Sequence, residues 1–233
     1  MLCVPRVARK SPCLRSATPT ASLRGMSEVV LYHHPFSRAA GALWVLEEIG
    51  CPYRLEHVEL TKGEQKSDRI RALNPMGKIP ILVDGEQVVT ETSAIAMYLA
   101  DRYAPGRLAP ALNSKDRGKY LRACVFPASV IEPACLAKQK SWDVPTGQAG
   151  FGEYDAMVAS VEALIGTGPF VLGETFSIAD TLLGGTVRWM LRFEMLPATE
   201  TLTAYAKRLG ERPALQAADA KNAAIIAERG LGR

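Results

Sequence analysis

Long apolar runs are scarce in this chain. No stretch approaches the ~20 consecutive apolar residues that cross a bilayer. The longest candidates, such as Ile79 to Val83, are cut short by polar residues or turns, so no membrane partner is expected. Internal repeats and low-complexity tracts are missing too, which excludes solenoid and array architectures. Cysteine is sparse and badly spaced for chemistry. Cys3, Cys13, Cys51, Cys124 and Cys135 make an odd count with no CxxC. Neither a disulfide framework nor a cysteine zinc site fits that pattern, so no metal is expected. Buried or idle thiols in a reducing compartment are the expectation instead.

Acids are missing from the first 25 positions, which hold Arg6, Arg9, Lys10, Arg15 and Arg24. The whole chain carries +4, and without those five positives it carries −1. The basic balance belongs to the leader and makes no case for nucleic acid. Two readings of residues 1–25 stay open. An Arg- and Ser-rich, acid-free segment resembles an organellar transit peptide. Alternatively Met26 is the true start, the leader is disordered or mis-assigned, and the protein is cytoplasmic. Either way the leader stands outside the fold.

The 233 residues, 48% hydrophobic and 22% charged, suffice for two small soluble domains. Glu28 to Tyr32 reads as a strand, which His33, His34 and Pro35 interrupt. Helical periodicity follows, with Ala39, Leu43, Leu46 and Ile49 on one face. Ser37 suits its N-cap and Gly50 its stop. Tyr53 to Leu60 alternates as a strand, and Gln65 to Leu73 is a weak polar helix. Ile79 to Val83 and Gln87 to Thr90 flank an Asp84-Gly85 hairpin turn. Thr92 or Ser93 then caps a helix to about Tyr103. The order β-α-β-α-β-β-α is that of a thioredoxin-like α/β domain, placed at 26–104. Residues 105–113, with Pro105, Gly106 and Pro110, read as a linker. No convincing strand follows, so 114–233 is expected to be an all-helical domain. Its helices lie near 114–139, 154–165, 177–193, 199–209 and 215–227, and Ser177-Ile178-Ala179-Asp180 opens the third as a capping box.

Three turns of the first domain carry the candidate chemistry. The first, Tyr32 to Arg38, leads a strand into a helix N-terminus, where free amides and the helix dipole stabilise an anion, including a thiolate. Ser37 is the first choice of hydroxyl donor there, although the same residue suits a plain N-cap; a histidine and Tyr32 are the other candidates. The second is Asn74 to Pro80. A cis Ile79–Pro80 bond there would leave the backbone of Ile79 unpaired and open to strand-like pairing with an extended peptide. The third is Glu91-Thr92-Ser93. A carboxylate-binding helix start beside an acid matches an α-amino-acid head, which carries both charges.

In order, SRAAGALWVLEEIG (37–50), NPMGKIPIL (74–82), ETSAIAMYLADRY (91–103) and FSIADTLL (176–183) resemble the glutathione transferase superfamily, with RPALQAA (212–218) similar to its last helices. The resemblance runs from about Met26 to near the C-terminus, and its turn at Ser37 is most similar to bacterial and fungal serine-type members. It implies glutathione as co-substrate. Ile79 before a cis-Pro80 would pair with the cysteinyl backbone, Glu91 and Thr92 would hold the γ-glutamyl group, Lys78 would reach the glycyl carboxylate, and Ser37 would donate to the thiolate. Asp180 and Ser177 would have a structural capping role. The second partner would be a hydrophobic electrophile or a peroxide, held by the helical domain; Tyr120, Phe126 and Trp142 are candidate lining residues, with a place in the core the favoured reading of each. A homodimer is implied as well. Relatives often carry Arg where Gly41 stands, and the catalytic turn has no cysteine. A glutathione-binding or ligand-carrying module without strong catalysis is the alternative.

Overall fold

Valine and leucine at alternate positions make Val29–His33 a strand, β1, with Val29, Leu31 and His33 buried on one face. It sits inside a four-stranded sheet of order β2-β1-β3-β4. In this computed structural model residues 28–145 and 147–232 are described. Both readings of the leader therefore lie outside the described residues.

Strand β2 (Tyr53–His57) runs parallel to β1, while β3 (Ile81–Asp84) and β4 (Gln87–Thr90) add antiparallel neighbours. The parallel pair is joined by α1 (Ala39–Ile49), whose Ala42, Leu43, Val45 and Leu46 are buried. Gly50, at φ 75°, ends α1 in the left-handed conformation. Two 3₁₀ turns, Leu60–Lys62 and Glu64–Lys66, precede the short helix α2 (Asp68–Leu73). Ile70 of α2 packs with Val58 and Ile81 on one side of the sheet. Helices α1 and α3 (Thr92–Tyr103) pack together in the main core. This is the thioredoxin-like arrangement, with β1 shifted one residue toward the C-terminus from the expected Glu28 to Tyr32, because His33 pairs in register with His57.

The remaining layer is helical: α4 (Arg117–Phe126), α5 (Glu132–Gln139), α6 (Tyr154–Ile165), α7 (Ile178–Arg192), α8 (Glu200–Gly210) and α9 (Pro213–Arg229). A π-helical stretch, Pro127–Ile131, joins α4 to α5, so residues 117–139 form one helix around Pro127 and Pro133. No consecutive apolar run in it approaches ~20 residues, yet as a helix it is long and apolar on average. This helix is 23 residues long, with a mean hydropathy of 1.2 over its most apolar window. Tyr120, Ala123, Cys124, Ile131 and Ala134 spend that apolarity on the core, where α4 packs against α7. The capping box of α7 forms: Asp180 accepts the Ser177 amide at 2.9 Å.

Helix α9 returns to the first lobe and lies along α1. Arg212 donates twice to Glu48, at 2.7 and 2.8 Å, and its guanidinium stacks 3.3 Å from the Phe176 ring centroid. Glu48 also accepts the Trp44 indole at 2.9 Å. A buried carboxylate satisfied by three donors holds the two lobes in one arrangement.

Candidate functional site

Register brings the three turns together. Tyr32 of β1 opposes Ile81 of β3, and Ile81 opposes Thr90 of β4. The residues just beyond these partners therefore share one end of the sheet: the His34–Arg38 turn, the Ile79–Pro80 bond and Glu91. That bond is cis. Among the described residues the backbone of Ile79 makes no hydrogen bond, so its N–H and C=O are available to an extended ligand. Lys78 is exposed beside it, and its carbonyl takes the Asn74 side-chain amide at 2.9 Å. Gly77 has to be glycine: at φ 60° an added Cβ would meet the Gln65 carbonyl oxygen at 2.8 Å.

Glu91 is exposed and strained, at φ 67°, in the N-cap position of α3. The cap expected from Thr92 or Ser93 is not there, because Thr92 is already helical. The Ser93 hydroxyl is unavailable to a ligand, since it donates to the Cys124 carbonyl at 2.7 Å. What remains at this helix start is Glu91 itself, the half-buried Thr92 and free first-turn amides.

Ser37 is half-buried and works on its own turn. Its hydroxyl donates to the His34 carbonyl at 2.8 Å and accepts the Ala39 amide at 3.1 Å. It stands one position before the N-cap residue, Arg38. Turning its proton onto a sulfur requires giving up the His34 carbonyl. Tyr32 points elsewhere: its ring packs in the cluster on the α2 side, 5.6 Å from the Arg69 guanidinium.

The histidines lie behind the turn. His33 is fully buried, and burial pushes its pKa down to about 4. Asn222 of α9 faces it, yet neither ring nitrogen makes a hydrogen bond. His34 accepts the Phe36 amide on Nδ1 at 3.1 Å. Burial, and then neighbouring His57, lower its pKa.

Arg38 escaped the sequence reading. It forms a bidentate pair with Glu132 at the start of α5, and this pairing raises its pKa. It also feels Glu91. A cation at the N-cap of a helix opposes the helix dipole, and that mismatch was the available signal. Of the candidate lining residues, Tyr120 is fully buried core, Phe126 is partly buried against Arg122, and Trp142 is exposed. A cavity of about 430 Å³ opens between Lys138, Tyr154, Val158 and Leu196, and none of the three turns lines it.

Residues 27–101 match the family described as "Glutathione S-transferase, N-terminal domain". That stretch, about a third of the chain, is similar to the glutathione S-transferase N-terminal domain, and the similarity continues beyond it. It is 27% identical to the glutathione S-transferase GstA of Escherichia coli O157:H7 over 80% of this chain and 94% of that one. It is also 27% identical to glutathione S-transferase Z2 of Arabidopsis thaliana, over 72% of this chain and 79% of the relative. Among solved structures, BphK, a bacterial GST in a ternary complex, superposes with a TM-score of 0.70 at 25% identity, covering 83% of this chain and 99% of that one. A Sulfitobacter glutathione transferase homologue with bound glutathione gives 0.67 at 25% identity, over 84% and 99%. The likeness to these two structures extends over both the sheet and the helical layer.

Proposed function

We propose that the protein is a glutathione S-transferase that activates the glutathione thiolate for attack on a hydrophobic electrophile or a peroxide. The observation that carries this reading is the meeting, at one sheet end, of an unpaired Ile79 backbone, an acid at a helix start and a hydroxyl at a second helix start. Extended glutathione fits these in sequence. Ile79 before Pro80 pairs with the cysteinyl backbone. Glu91 takes the γ-glutamyl ammonium, and Thr92 with the free amides of α3 takes its carboxylate. Lys78 reaches the glycyl carboxylate. The sulfur then lies toward Ser37 and the α1 N-terminus, where a hydroxyl and a partial positive charge favour the thiolate. Binding both substrates in one cleft supplies the orientation that a bimolecular encounter lacks. The homologues named as glutathione S-transferases and the neighbour holding glutathione support this reading. We further propose a homodimer in the cytoplasm.

Ser37→Ala tests the donor. The thiol of bound glutathione, followed by thiolate absorbance, should titrate about one pH unit higher, which is about 1.4 kcal/mol. Turnover of chlorodinitrobenzene should fall about tenfold at neutral pH with glutathione affinity retained. Full activity in this variant removes Ser37 from the role. One observation favours a second reading, a glutathione-binding module with little catalysis: the Ser37 proton already has an acceptor in the His34 carbonyl. Retention on immobilised glutathione without turnover across electrophiles and peroxides would select it.

A further inference from the structure

Behind the Ser37 turn, three side chains from two neighbouring strand ends converge. His34 follows β1, His57 ends β2, and Glu59 lies two residues beyond. One ligand atom from each lies within 4.8 Å of the others, and His57 Nε2 stands 3.7 Å from Glu59 Oε2. We propose that His34, His57 and Glu59 form a binding site for a divalent transition-series ion, zinc being the best fit. The proposal does not depend on the transferase reading.

The nitrogens make the case. His34 is 2% exposed, and its Nε2 makes no hydrogen bond. Neither nitrogen of His57 makes one either. Buried imidazole nitrogens without partners have lost water and gained nothing, a condition folded proteins avoid unless an ion or ordered water completes the group. The carboxylate is held for the same purpose. Glu59 Oε1 accepts the Thr61 amide and, at 2.8 Å, the Thr61 hydroxyl, which leaves Oε2 toward His57. Such outer contacts orient ligands in metal sites.

Two imidazoles and one carboxylate suit the transition series rather than magnesium or calcium, which prefer oxygen. Ligand distances near 2.0–2.2 Å put two donors on a tetrahedral ion roughly 3.4 Å apart. The His57–Glu59 pair is already close to that spacing, and the widest pair closes by little more than an ångström. Three protein ligands leave a fourth position for water. The charged groups facing His57 are Glu59 and Glu64 against Arg229 of α9, a balance that favours a cation.

Capture through His34 Nε2 has a local consequence. In the metal-free protein Nδ1 accepts the Phe36 amide, so Nε2 carries the ring proton. Coordination through Nε2 moves that proton to Nδ1, and the Phe36 amide must find another partner. No proton leaves His34, but the turn that carries Ser37 shifts.

The test uses the full-length chain without a polyhistidine tag, stripped with a chelator and kept free of glutathione. Zinc is titrated calorimetrically, and cobalt(II) is used as a visible-light probe. One equivalent of zinc should bind, and the cobalt form should show d–d absorption without a thiolate charge-transfer band. His57→Ala and Glu59→Gln, each checked for folding by circular dichroism, should weaken binding tenfold or more, while Cys51→Ser should not. Should His57→Ala fail to fold, Glu59→Gln decides. No saturable uptake, a thiolate band, or unchanged affinity in the folded variants overturns the proposal.

Discussion

Asp180 accepts the Tyr205 hydroxyl at 2.8 Å, fully buried, linking the start of α7 to the middle of α8. The same carboxylate takes the amides of Val171 and Ser177, at 2.8 and 2.9 Å. The Ser177 hydroxyl also donates to it, at 3.2 Å, so Asp180→Ala would strand four donors at once. With about 1–3 kcal/mol for each buried unpaired group, urea unfolding should show a loss of at least about 4 kcal/mol. A loss below about 1 kcal/mol would mean that water replaces the carboxylate. Tyr205→Phe removes one donor and its lone acceptor contact together, and should cost about 1 kcal/mol.

Glu91 combines a strained backbone with a proposed ligand contact, and the two separate by mutation. Glycine accepts φ 67° freely, whereas a side chain there costs about 1–3 kcal/mol. Glu91→Gly should therefore leave the melting temperature unchanged or raised while abolishing retention on immobilised glutathione. Retention by the variant would show that Glu91 does not hold the γ-glutamyl head.

Two helical glycines predict opposite signs. At Gly41 in α1 an added Cβ meets nothing within 4 Å, so Gly41→Ala should stabilise by about 1 kcal/mol through helix propensity. At Gly184 in α7 the added Cβ would lie 2.0 Å from Leu209 Cδ1. Gly184→Ala should lose about 1–3 kcal/mol by overpacking. Denaturant midpoints of the two variants on either side of the parent's would meet both expectations.

The buried thiols should be inert. Burial pushes the pKa of Cys124 up to about 12 and that of Cys135 up to about 11. The thiolate is the reactive form, so at pH 8 almost none is present. Iodoacetamide should spare both in the native protein and label both in urea, as read by peptide mass spectrometry. Prompt labelling of Cys124 in the folded state would contradict its burial.

Much of this was legible in the chain because the deciding interactions are local. Alternation and an Asp84-Gly85 turn set β4 at Gln87–Thr90, and apolar spacing with Gly166 beyond set α6 at Tyr154–Ile165. Ser177 and Asp180 form their cap within four residues. What could not be read involves distant partners. The Ser93 hydroxyl is taken by a carbonyl 31 residues away. The Arg38–Glu132 pair spans 94 residues. The His34–His57 neighbourhood exists only through the parallel register of β1 and β2. Ser37 lay between the two kinds: its position at a helix start was readable, and the direction of its proton was not.

The Glu48–Arg212 pair closes a loop of 164 residues. At about 5–20 residues per second, a ribosome that has released α1 needs roughly eight to thirty seconds more before Arg212 exists. For that interval the nascent first lobe displays Glu48 and the outer side of α1 without the helix that covers them. A factor that screens newborn chains would meet this surface, and completion of α9 is the event that hides it.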